Sequence, residues 1–240
     1  MKNLVFVHGY LGGSPQWAVQ AEVFSERFHV ITPDLPGFGL NRELVAPETI
    51  GGFADYILNE LDQQGVNRFH LVGHSMGGMI VQEMVARAPE TVDQLVLYGT
   101  GPMGMMPGRF ETIDESRRRV TEEGVEETGR RISATWFLDG EKAEGYQICA
   151  DLAATAPLQA ALAGLSAMES WSGVPSLSKI VSPTMVLWGD GDRAYQWHQP
   201  ELLWREIAGA RLAVIPGCAH AVHLEKPQLF NSTLMDFLAA

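Results

Sequence analysis

Gly73-His74-Ser75-Met76-Gly77 sets a serine among small residues, directly after the apolar run "FHLVG" and before the helix-compatible run "MIVQEMVARA". A serine flanked in this way can sit on a sharp turn from strand to helix, with its hydroxyl pushed clear of the backbone. The unpaired N–H groups at the start of the following helix favour negative charge at the same spot. Such a hydroxyl can attack a carbonyl while the Met76 N–H meets the developing oxyanion. Serine is a weak nucleophile unless a base removes its proton, so this chemistry also requires a histidine and an acid to orient it.

The chain has seven histidines. His29 and His70 fall inside strand-like runs and read as satisfied core or surface residues, His74 as packing within the turn, and His198 as uninformative. His8, at the end of the first apolar run, suits an orienting role better than proton transfer. His220, in "PGCAHAVHLEKP", follows the last apolar run and precedes a helix begun by Pro227, which is where a base should lie. His223 could join it on a metal, but no third ligand at suitable spacing accompanies the pair, so no metal is expected. For the acid, "WGDGDRA" offers Asp190 and Asp192, whereas Thr100-Gly101-Pro102 offers none. Asp192 lies further beyond its strand and can bend toward the histidine, while Asp190 is better placed to cap the turn. The expected set is Ser75, Asp192 and His220, in that chain order.

Short aliphatic runs must carry these residues: "LVFV" (4–7), "HVITPD" (29–34), "FHLVG" (69–73), "QLVLYG" (94–99), "TMVLWGD" (184–190) and "RLAVIPG" (211–217). Continuous apolar runs separated by helical stretches are the mark of a buried parallel sheet covered on both faces. Ligands in such sheets bind beyond the carboxyl ends of the strands, where the candidate residues fall. The connection from Tyr98 to Thr184 is far longer than one crossover needs. Its helical patterns, at 111–120, 122–138, 143–154 and 158–171, predict a helical cap at 103–176 inserted into a single domain whose core is 1–102 and 177–240.

Ser75 in "GHSMGG", together with "FVHGYLGG", "DLPGFG", "WGDGD" and "GCAHAVHLEKP", resembles the α/β-hydrolase superfamily. Within it, bacterial esterases and lactonases of the 3-oxoadipate enol-lactonase and pimeloyl methyl-ester esterase kinds are similar. The resemblance implies a mostly parallel sheet with the cap between the fourth and fifth strands. It also implies that Tyr10, after His8-Gly9, gives the second oxyanion N–H beside Met76. Members usually begin with an antiparallel strand pair; only three residues precede Leu4 here, so the expected sheet is six-stranded, with the run at 29–34 as an exposed edge.

A net charge of −12 disfavours nucleic acid and anionic membrane surfaces as partners. No apolar run approaches the roughly 18 residues of a spanning helix. Two distant cysteines, Cys149 and Cys218, suit a reducing compartment, and a cytoplasmic location is expected. Six basic residues lie between Arg109 and Arg131, but Asp114–Arg118, Glu115–Arg119, Glu126–Arg130 and Glu127–Arg131 stand at i,i+4, so a solvated ion-paired face is expected rather than an anion pocket. Met103, Met105 and Met106 with Trp136 and Trp171 are candidates to line an apolar pocket. The expected reaction is cofactor-free cleavage of a small ester or lactone through an acyl-enzyme. A carbon–carbon hydrolase or lyase on the same residues, or a slowly turning-over ligand receptor, are the alternatives; the usual asparagine before the nucleophile of carbon–carbon hydrolases is His74 here.

Overall fold

Six strands form one all-parallel sheet in the order β2-β1-β3-β4-β5-β6. They are β1 (Lys2–Val7), β2 (Phe28–Ile31), β3 (Phe69–His74), β4 (Val92–Tyr98), β5 (Thr184–Gly189) and β6 (Arg211–Ile215). The computed structural model describes residues 1–105, 108 and 110–239. Register pairs Val5 with Leu71, Leu71 with Leu95, and Leu97 with Val186, so apolar residues line up across the sheet. Alternate side chains leave opposite faces of a strand, which explains why no run alternates with polar residues. Val5, Leu71, Leu95 and Val186 join one buried cluster; Leu4, Val72, Val96 and Met185 join the other.

Helices cover both clusters. On the first face lie α2 (Ile50–Gln63), α3 (Met76–Arg87) and α8 (His198–Glu206), and on the second α1 (Ala18–Ser25) and α10 (Pro227–Leu238), with Phe24, Phe230 and Leu234 fully buried. The short β2, with only partial burial of Val30 and Ile31, is an edge strand. Between β4 and β5 stand α4 (Ile113–Glu122), α5 (Val125–Ala134), α6 (Tyr146–Ala154) and α7 (Leu158–Glu169). They pack as α4 on α5 and α7, and α5 on α6. An antiparallel bridge, Met103 to Ser172, closes the base of this insertion. A four-residue turn of helix, α9 (Val222–Glu225), follows β6.

The arginine-rich face forms, but with different partners. Glu115–Arg119 and Glu126–Arg130 pair at 2.9 and 3.3 Å as their spacing predicts. Asp114 instead meets Arg117, and Arg131 meets Glu111 at 2.7 Å rather than Glu127. Arg118 goes to Glu115 and Glu122 instead of Asp114, while Glu111, nearly buried ahead of α4, draws Arg131 and also meets Arg119; a carboxylate short of water gains more from a cation than an exposed one does. Arg109 and Met106 lie outside the described residues.

Candidate active site

Parallel strands end at one rim, so the loops after β1, β3, β4, β5 and β6 converge there, carrying Tyr10, Ser75, Thr100, Asp192 and His220. Ser75 sits between β3 and α3 at φ 58° and ψ −122°, a left-handed conformation that side chains rarely adopt. Strain of this kind costs on the order of 1–3 kcal/mol and persists only where its surroundings enforce it. Here the Ser75 N–H donates to Tyr98 O at 3.0 Å, and Ser75 O accepts from Gly78 N–H at 2.8 Å and from the Thr100 hydroxyl at 2.7 Å. The glycines have a steric reason: a Cβ on Gly77 would come within 2.3 Å of Val7 O and 2.5 Å of His8 O, backbone atoms that cannot swing away.

Among the described residues, one other non-glycine has positive φ, Leu11, fully buried in the loop after β1. That loop is held by His8. Leu35 N–H donates to His8 Nε2 at 3.0 Å, so Nδ1 must carry the proton, and it donates to Gly9 O at 2.8 Å. Burial keeps His8 below its ordinary pKa, with the bond to Gly9 and the charge of Asp34 opposing this, and the ring serves as a neutral brace. Asp34, in "DLPGFG", accepts from the Ser14 N–H at 2.8 Å and hydroxyl at 2.7 Å, tying that segment to the same loop.

His220 Nδ1 donates to Asp192 Oδ2 at 2.9 Å, with both side chains almost wholly buried. Asp192 Oδ1 accepts from Ala194 N–H at 2.8 Å and Tyr195 N–H at 3.0 Å, which fixes the carboxylate. The bond leaves Nε2 as the basic nitrogen of His220. The Tyr195 ring lies nearly parallel to the imidazole, 5.5 Å away. Asp190 takes the other part: its carboxylate accepts from Gly217 N–H at 2.8 Å and caps the turn.

The main chain of His220 is anchored as firmly as its ring. Its carbonyl accepts from His74 Nε2 at 3.1 Å and from the Tyr98 hydroxyl at 2.9 Å. Since that hydroxyl gives its one proton to the carbonyl, it accepts from His223 Nδ1, at 2.9 Å, and from His223 N–H, at 3.2 Å. Burial, then the neighbouring His220 and His223, push the pKa of His74 well down, and burial pushes that of His223 to about 3, so both stay neutral. Glu225 completes the frame by accepting from Ala219 N–H at 2.6 Å and Leu138 N–H at 2.8 Å.

Ser75 and His220 line the same two cavities. The first, about 30 Å³, is walled by Tyr10, Phe110, Ile132, Trp136, Met168 and Tyr195. The second, about 10 Å³, also touches Gly9, Gln16 and His74. Of the residues expected to line an apolar pocket, Trp136 does so. Met105 is exposed, and the Trp171 indole instead donates to Glu83 at 2.8 Å. Met106 lies outside the described residues. His70 departs from expectation too, being buried with neither ring nitrogen partnered among the described residues; its ring packs edge-on against Phe28, an apolar neighbour that offers it no acceptor. Sequence reasoning missed Tyr98, Glu225 and Gln16. The only signal for Tyr98 was a phenol ending the aliphatic run Leu95–Leu97.

The sequence profile of the alpha/beta hydrolase family matches residues 4–233. A monoacylglycerol lipase (abhd6-A) of Xenopus laevis is 25% identical over 99% of this chain and 75% of its own length. A 2-hydroxy-6-oxo-6-phenylhexa-2,4-dienoate hydrolase of Comamonas testosteroni is 29% identical over 88% of this chain and 77% of its own. Among solved structures, an enol-lactonase of Burkholderia xenovorans superposes with a TM-score of 0.91 at 23% identity, covering 100% of this chain and 92% of its own, a likeness of fold. With six parallel strands, an inserted helical cap and a family match over nearly its whole length, this chain belongs to the alpha/beta hydrolase family.

Proposed function

We propose that the protein is a serine hydrolase that cleaves a small carboxylic ester or lactone through an acyl-enzyme. The observation that carries this reading is the 2.9 Å bond from His220 to buried Asp192, set on the wall of the cavity that Ser75 also lines. Ser75 Oγ attacks the acyl carbon as His220 Nε2 takes its proton. Asp192 holds the imidazole tautomer and offsets the charge that forms. The Tyr10 and Met76 amides receive the oxyanion. His220 then protonates the leaving oxygen, and water releases the acyl group by the reverse sequence. The apolar walls favour a hydrocarbon acyl or alcohol part. At about 30 Å³ the first cavity has room for little more than water, so the lining side chains must part to admit substrate.

The reading is supported by the monoacylglycerol lipase similarity. The dienoate hydrolase similarity favours a second reading, carbon–carbon cleavage on the same residues. Against it, the residue before the serine is His74, whose Nε2 is taken up by the His220 carbonyl and whose ring stacks on Tyr98 at 4.4 Å, leaving it little freedom to bind a substrate. Labelling with a fluorophosphonate followed by peptide mapping tests the nucleophile, and modification anywhere but Ser75 removes the proposal. A panel of esters, lactones and dienoates then separates the two reactions, with ester or lactone turnover expected to dominate.

A further inference from the structure

Resting on the serine-hydrolase reading, we propose that Gln16 is a catalytic residue of the second half-reaction, holding the water that releases the acyl group. The cavity of about 10 Å³ is the size of one water molecule and is bounded by Ser75, which would carry the acyl group, by His220, the base, and by Gln16. Gln16 is 3% exposed and is the one uncharged amide side chain on that wall.

Its own bonds are weak for so buried a group. The amide nitrogen donates to Cys149 Sγ at 3.2 Å, and Oε1 accepts a single long bond from Gly13 N–H at 3.4 Å. Burial pushes the Cys149 thiol up to about 12, so this sulfur is a neutral and poor acceptor. An amide oxygen has two lone pairs, and a buried polar group is ordinarily better satisfied than this. A water that must attack a carbon needs a free lone pair on its oxygen, so its two protons should both be donated. One goes to His220 Nε2 and the other to Gln16 Oε1. The water oxygen then bonds to the acyl carbon while His220 takes its proton. The bond from that carbon to Ser75 Oγ breaks, and His220 returns the proton to Ser75. Free acid and free enzyme result, with no other reactant.

Full-length protein is assayed with an activated p-nitrophenyl ester, which acylates fast, in stopped flow and by intact mass. For Gln16→Leu, kcat and KM should fall together by about tenfold, the worth of one hydrogen bond, with kcat/KM, which reports acylation, unchanged. A burst of p-nitrophenol and an acyl adduct on Ser75 should accompany this. Gln16→Glu keeps an accepting oxygen at the same length and should recover most of kcat. Unchanged kcat/KM also certifies that the variant is folded. Loss of kcat/KM along with kcat would assign Gln16 to the scaffold of the loop after β1 and overturn the proposal, as would an unchanged kcat. Absence of any adduct on Ser75 in the parent enzyme, with no fluorophosphonate label there, overturns the serine reading itself.

Discussion

Around His220 the polar groups are buried and nearly every donor meets an acceptor, whereas on α4 and α5 the charges are largely exposed and share partners. His74, Tyr98, Asp192 and Glu225 hold the loop at His220 through four bonds of 2.6–3.1 Å. Arg118 touches Glu115, Glu122 and Glu123, and Arg119 touches Glu111, Glu115 and Glu123. Both regions are rich in polar contacts, yet they differ in what a contact means. A buried carbonyl or imidazole without its partner cannot turn to water, so each bond specifies a position. An exposed guanidinium loses one carboxylate and finds another, or water, at little cost. Precision at the rim and tolerance on the cap follow from the same physics at different depth.

The largest effect should come from the buried side. Ser75→Ala is expected to lower kcat by roughly 10⁶, as loss of a triad member does elsewhere, with stability little changed because alanine keeps the Cβ and the same backbone. Steady-state ester hydrolysis checks this, and a loss under tenfold would contradict it. Next, Gly77→Ala drives a methyl into Val7 O and His8 O and should destabilise by about 2–3 kcal/mol in denaturant unfolding, because the strand cannot retreat from the helix.

Acid should act on the same frame. His223 is neutral when folded, its pKa depressed by burial to about 3, and takes a proton when unfolded near about 6.5. A depressed value means the stability is present above about pH 6.5 and is lost as pH falls toward 3, at about 1.4 kcal/mol per pH unit for this group. His74 and His8 are shifted in the same direction and add to the slope. Thermal melts at descending pH should show it, and His223→Phe should flatten the curve. Tyr98→Phe removes a donor to His220 O and the acceptor of His223, which should cost about 1–3 kcal/mol and lower kcat more than it raises KM. At the far end, Arg118→Ala on the cap should leave both the melting temperature and kcat/KM unmoved within error. A large effect there would erase the contrast between the two regions.

Much of this arrangement could be read from the chain. "FHLVG" to "MIVQEMVARA" is strand, turn and helix at the expected residues, because Gly73 and Gly77 leave the backbone free to fold tightly over the serine. The choice of Asp192 over Asp190 also followed from position, since the nearer carboxylate closes its own turn. The cap was less legible. Its helices could be placed to within a few residues, but Asp114 lost Arg118 to Glu115 and Glu122, and Glu127 lost Arg131 to the nearly buried Glu111, whose position between two elements the spacing does not reveal. Met168 and Ile132, rather than Met103 or Met105, line the cavity because the crossing of helices, and not their composition, selects which face looks inward.

Local sequence by itself determined where the strands lie, that the central ones are buried on both faces, and which serine can be lifted above the sheet, since those follow from apolar runs and from the absence of a Cβ at two glycines. Only the tertiary structure decided that residues 98, 16 and 225 belong with the serine and histidine, and how little room the cap leaves above them. Hydrogen-bond partners far apart in sequence carry no periodic signature: they are chosen by which atoms become buried together once the chain has closed on itself.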